Sequence, residues 1–166
     1  GDDFTGSSAV MEVMTFAGLP AVMFVEPPTA EQLERFAGYR AIGVASVARA
    51  KPPSWMDEHL PEAFAALAAL GAPVNHYKVC STLDSSPEVG SIGRAIDIGA
   101  PIFAAREGAA EWQPLVVAAP AIRRYQAFGN LFAGHAGSVY RLDRHPVMQR
   151  HPVTPMHEAD VRLHVA

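Results

Sequence analysis

The sequence predicts an α/β domain: a mainly parallel sheet sandwiched between helices, with a substrate cleft at the carboxyl ends of the strands. Three observations carry this expectation. Helical and strand-like segments alternate along the chain, as they do in layered α/β domains. Short apolar runs such as Ala21 to Val25 and Ala41 to Ala45 are bounded by proline, glycine and polar residues, as buried strands are. Polar clusters fall where the strands end, and open α/β sheets bind ligands outside the carboxyl ends of their strands.

The elements follow in order. Ser7 to Ala17 is expected to be a helix, because Ala9, Val10, Val13, Met14 and Ala17 recur at helical spacing and Gly18 sits just past the end. Ala21 to Val25 is a strand between Pro20 and Pro27. Thr29 to Phe36 opens with the capping-box pair Thr29 and Gln32 and reads as a short helix. Ala41 to Ala45 is the next strand. Ser54 to Leu70 is helical, kinked or restarted at Pro61 and closed by Gly71. Val74 to Cys80 reads as a strand, Gly90 to Ile98 as a helix, and Leu115 to Ala118 as a strand. Val139 to Arg141 is a candidate strand. Thr154 and Pro155 are suited to the cap and first turn of a final helix from Met156. Ala104 to Trp112 and Asn130 to Ser138 read as surface loops.

Composition narrows the function classes. The chain has 166 residues, 49% of them hydrophobic and 18% charged, which fits one folded domain and not a disordered chain. No apolar run approaches the ~20 residues of a membrane span, so no membrane partner is expected. A net charge of −4 argues against a nucleic-acid-binding surface. The single cysteine, Cys80, leaves no internal disulfide and suits a reducing, cytoplasmic setting. The chain opens directly into Gly1-Asp2-Asp3-Phe4-Thr5-Gly6, without a signal peptide, and the natural start is expected earlier.

Four polar clusters follow predicted strands or precede helices. Asp2 and Asp3, with Thr5, Gly6, Ser7 and Ser8, stand before the first helix. One carboxylate there is accounted for by capping; two adjacent ones suit sugar hydroxyls, as paired acceptors. Ser46-Val47-Ala48-Arg49 follows the second strand. Lys78 lies near the end of the third, where it either reaches solvent or points at an anionic ligand, with Asp84 as counter-charge. Ser81, Thr82, Asp84 and Ser85 follow it, and Gly90-Ser91-Ile92-Gly93 opens a helix whose free N–H groups could hold a carboxylate or phosphate. Arg123 and Arg124 lie after the fourth, either solvated or pairing with a carboxylate. Asp3, Lys78, Asp84 and Arg124 are therefore expected to face one cleft. Four of the seven histidines fall in the last 22 residues, and a proline-held loop presenting one of them, at His151-Pro152, is expected in place of a metal site.

These motifs coincide in order: Asp2-Asp3-Phe4-Thr5-Gly6; Tyr77-Lys78-Val79-Cys80-Ser81-Thr82-Leu83-Asp84-Ser85-Ser86-Pro87; Gly90-Ser91-Ile92-Gly93; Ala119-Pro120 with Arg124 and Gly129-Asn130-Leu131-Phe132; His151-Pro152-Val153-Thr154-Pro155-Met156. Together they resemble the four-carbon acid sugar kinase family, which includes 3-oxo-tetronate, threonate and erythronate kinases. The resemblance covers the whole chain and is to the N-terminal, acid-sugar-binding domain, residues 1–166. It implies a C-terminal ATP-binding domain as partner, ATP and Mg²⁺ as cofactors held mainly there, a small sugar acid as substrate, and a strand preceding Asp2. It implies that Asp2, Asp3, Lys78, Ser81, Thr82, Asp84, Ser85, Gly90, Gly93, Arg124 and His151 bind substrate, with Asp3 the candidate base. Ser91 stands where many relatives have Asn, and Arg123-Arg124-Tyr125 where relatives commonly have Gly-Arg-Thr. These departures point toward the 3-oxo-isoapionate kinase branch. No Gly-x-x-x-x-Gly-Lys-Ser/Thr loop is present, so the fragment alone is expected to be inactive. The alternatives are a stand-alone sugar-acid binding module and an interaction domain whose pocket has lost its ligand. A homo-oligomer is compatible with the sequence and not specified by it.

Overall fold

The computed structural model describes residues 1–110 and 112–166. Helix α1 (Phe4–Phe16) begins three residues before the expected start, because the Asp3 carboxylate caps it by accepting from the Gly6 amide at 2.7 Å. Strand β1 (Ala21–Phe24) and strand β2 (Ala41–Val44) pair in parallel, Ala21 opposite Ala41. Helix α2 (Ala30–Arg35) between them carries the expected capping box of Thr29 and Gln32. Helix α3 (Pro53–Ala69) runs unbroken through Pro61, and α4 (Ile92–Ala104) continues past the expected end at Ile98. Met56, Leu60 and Phe64 of α3 and Ala95 of α4 form one buried cluster, with Tyr77 and Phe103 packed on it. The loop expected over 104–112 starts only where α4 ends, and Glu111 within it lies outside the described residues.

The mainly parallel sheet is corrected. Besides the two parallel strands there is a three-stranded antiparallel sheet of β3 (Arg124–Ala127), β4 (Asn130–His135) and β5 (Ser138–Arg141). Asn130 to Ser138, expected as a loop, is therefore mostly strand. Its turns are two-residue hairpins, Phe128-Gly129 and Ala136-Gly137, with φ of 52° and 81°, and 45° and 82°. Positive φ at both central residues marks a type I′ hairpin, whose usual Asn-Gly or Asp-Gly signal is missing here.

Two expected strands are segments without a strand ladder. At Val74 to Cys80, the Lys78 carbonyl accepts from the Asp2 amide at 2.9 Å, and Val74 is exposed. At Leu115 to Ala118 a side chain takes the place of a partner strand. The Gln126 amide accepts from Val117 N at 2.9 Å and donates to the Leu115 carbonyl at 3.3 Å. Val117 is still buried, in a second core cluster with Leu83, Ile92, Leu131, Leu142, Met156 and Val161. The final helix is also shorter than expected. It is α5 (Val161–His164), capped by Asp160, because Thr154 is engaged elsewhere and Met156 is buried with its amide on the Met148 carbonyl.

Candidate functional site

Residues 1 and 2 lie beside the carboxyl end of β2. Gly1 N donates to the Val44 carbonyl and Ser46 N to the Gly1 carbonyl, the bond pattern of parallel pairing. This places Asp2 and Asp3 next to the loop after β2, where the short 3-10 turn Ala48–Ala50 begins. Arg49 closes on both acids. Its Nε and Nη2 donate to the two oxygens of Asp2 at 3.1 and 2.7 Å, and its Nη1 donates to Asp3 Oδ2 at 2.6 Å. A bidentate guanidinium–carboxylate fork is among the stronger charge-assisted arrangements. Asp2 is buried, and burial raises its pKa; the Arg49 hydrogen bond and charge oppose that shift.

Lys78 stands beside this network. Its Nζ donates to its neighbour's Val79 carbonyl, and its stem packs under Gly1 and Gly6. A Cβ on Gly6 would lie 2.7 Å from Asp3 Oδ1 and 3.4 Å from Lys78 Nζ, so glycine there lets carboxylate and ammonium approach across one small gap. Asp3 and Lys78, at the carboxyl end of the parallel pair, are thus brought together.

Asp84 belongs to a second network. Thr154 Oγ1 donates to Asp84 Oδ1, and His151 Nδ1 lies 3.7 Å from the same oxygen. The Thr154 amide donates to His151 Nδ1 at 3.1 Å. Thr154 is buried, while Asp84 and His151 are part exposed.

Arg124 joins neither network. Its Nη1 donates to the carbonyls of Ile122 and Arg123, and its Nε is buried without a partner among the described residues. Its charge reaches His145, whose pKa is lowered by burial first and then by His135 and Arg124. Among the described residues, no hydrogen bond or ion pair links these three groups.

The remaining expected ligands have local structural tasks. Thr82 Oγ1 contacts Cys80 Sγ at 3.2 Å, and Ser81 is part exposed in the same turn. Ser85 Oγ accepts from Ile92 N at 3.0 Å and Ser91 Oγ from Arg94 N at 3.1 Å, so two of the free amides expected at the start of α4 are already engaged. Gly90 has φ of 63°, donates to the Lys51 carbonyl, and leaves no room for a Cβ against the Arg49 carbonyl. Gly93 likewise passes against the Val165 carbonyl. A cavity of about 200 Å³ opens here, lined by Ser85, Ser86, Ser91 and Gly93 with Arg94 and His164. Neither Lys78 nor any of the acids above lines it, so the chemistry is weighted to the two polar networks.

Arg49 and Thr154 are the residues that sequence reasoning left without a site role. Arg49 carried a usable signal, since it follows a strand end exactly as the other polar clusters do. Thr154 carried a misleading one, the pattern of a helix cap.

The residues of this chain match, over 1–166, the family model described as the sugar-binding N-terminal domain. The chain belongs to that family. It is 58% identical over 166 residues to a 3-oxo-isoapionate kinase of Paraburkholderia graminis, covering 100% of this chain and 34% of that protein. It is 34% identical over 161 residues to a 3-oxo-tetronate kinase of Methylobacterium radiotolerans, covering 96% of this chain and 35% of that protein. In three dimensions it is similar to Haemophilus influenzae protein HI1011, with a TM-score of 0.80 and 26% identity over 99% of this chain and 36% of the other. The chain thus spans about a third of the length of the curated relatives it matches.

Proposed function

We propose that this chain is the substrate-binding domain of an ATP-dependent kinase acting on a small sugar acid, of the 3-oxo-isoapionate class before the 3-oxo-tetronate class. The observation that carries the reading is the 58% identity over the whole chain to a protein named 3-oxo-isoapionate kinase. The chemistry of the residues supports it. A sugar acid needs a cation for its carboxylate and acceptors for its hydroxyls, and Lys78 beside Asp3 offers both within one gap. In this reading Lys78 takes the carboxylate, Asp3 and Asp84 accept from hydroxyls, and Asp3 is the candidate base for the accepting hydroxyl. Arg124, whose buried Nε has no partner among the described residues, is in this reading a further carboxylate ligand.

In this reading ATP and Mg²⁺ are held mainly outside these residues. Asp2 and Asp3 are held by Arg49, and no three of the described His, Cys, Asp or Glu residues gather to hold a metal ion. The phosphate-bearing half of the reaction is assigned to a C-terminal ATP-binding domain, as phosphoryl transfer requires both substrates held in line.

The test is a kinase assay of the complete protein against four-carbon and branched sugar acids. ATP-dependent phosphorylation of at least one, with 3-oxo-isoapionate ahead, is the expected result. Binding of a sugar acid with no turnover would favour a binding module, and neither binding nor turnover would overturn the reading.

A further inference from the structure

We propose that Thr154 is a positioning residue that locks Asp84 and His151 into a fixed acceptor–donor pair for one substrate hydroxyl. This rests on the sugar-acid reading for the identity of the ligand, and on geometry for the rest.

Thr154 is buried and lies seventy positions from Asp84, so the bond between them is a tertiary cross-link and not a local turn. The backbone amide of Thr154 can only donate, and it donates to His151 Nδ1. The lone pair of Nδ1 therefore faces that amide, and the proton of the neutral ring sits on Nε2. The Thr154 hydroxyl has its own proton on Asp84 Oδ1, so its oxygen, 3.0 Å from the same Nδ1, meets that nitrogen with no proton between them, and the amide bond alone sets the ring. One residue thus fixes the tautomer of the imidazole through its amide and the orientation of the carboxylate through its hydroxyl.

Two groups remain available. His151 Nε2–H is a donor, and among the described residues no donor reaches Asp84 Oδ2, which is an acceptor. Both side chains are part exposed, at 25% and 21%. An imidazole N–H donor next to a carboxylate acceptor suits an alcohol, which donates to the carboxylate and accepts from the imidazole. It does not suit a second carboxylate, which Asp84 would repel.

The test uses the complete protein with ¹⁵N-labelled histidine. His151 is assigned by the signal lost in His151→Gln, and the ring is observed at alkaline pH, where imidazole is neutral. The expected tautomer has its proton on Nε2. In parallel, Thr154→Val, which keeps the shape and removes the hydroxyl, is expected to raise the sugar-acid KM roughly ten- to a hundredfold. The KM for ATP should stay in place, and Thr154→Ser should return the sugar-acid KM to near the wild-type value. A proton on Nδ1, or Thr154→Val kinetics equal to wild type, overturns the inference and leaves the kinase reading standing. If the wild-type protein turns over no sugar acid, the kinase reading falls. The ring proton still decides the positioning role: on Nε2 it supports it, on Nδ1 it overturns it. Should Thr154→Val not fold, the wild-type tautomer and the Thr154→Ser kinetics carry the test.

Discussion

Asp2 and Asp3 are held by three guanidinium bonds from Arg49, whereas Asp84 is held by one hydroxyl, with an imidazole beside it. The first network joins the start of the chain to the loop after β2 and pairs a buried carboxylate with a guanidinium. The second joins two segments far apart in sequence and leaves a donor and an acceptor available. The contrast separates two uses of the same residue type. A carboxylate with both oxygens on arginine, as in Asp2, mainly shapes a site, while one with an oxygen that arginine leaves free can still meet a ligand.

Breaking the first network should give the largest effect. Arg49→Met leaves Asp2 buried without its partner, and loss of one member of a buried ion pair costs about 3–5 kcal/mol. Arg49 is itself part exposed, so the low end of that range is expected in a denaturant titration. A loss below about 0.5 kcal/mol, the scale of a surface pair, would erase the distinction between the networks.

Gly90→Ala should come next. It adds a Cβ against the Arg49 carbonyl at a positive φ, and strain of that kind costs about 1–3 kcal/mol. The same measurement on Gly38→Ala, where open space surrounds the site and φ is not positive, should show much less.

A smaller effect is expected from His145, outside both networks. Its folded pKa lies below the usual 6.5, so the unfolded chain takes up a proton before the folded one. Stability is therefore full above about pH 6.5 and is lost as pH falls toward the folded value, by at most about 1.4 kcal/mol per pH unit. His145→Asn keeps an acceptor for the amides of Val147 and Met148 and should flatten that slope. An unchanged slope would assign the acid sensitivity to other groups.

Much of this was legible in the sequence, for physical reasons that also explain the misses. The parallel pair and α2 follow from local signals, two bounded apolar runs and a capping box. Asp2, Asp3 and Lys78 were singled out because polar residues at the ends of predicted strands are themselves a signal. The antiparallel sheet was hidden because its turns are Phe128-Gly129 and Ala136-Gly137, without the asparagine or aspartate that usually marks them. The strand expected at Leu115 to Ala118 was lost to a single side chain, since Gln126 satisfies backbone groups that a neighbouring strand would otherwise have met. Thr154 illustrates the same limit. Its local pattern fits a helix cap, and only tertiary structure reveals Asp84 as its partner.

The central claim is that these residues hold the acid end of a sugar acid while the nucleotide is bound elsewhere. Lys78→Met in the complete protein tests it most directly, because it removes the cation and keeps most of the volume. The account predicts a sugar-acid KM raised roughly ten- to a hundredfold, the scale of a hydrogen bond to a charged group, with the KM for ATP unchanged. An unchanged sugar-acid KM, or a defect confined to ATP, would contradict it.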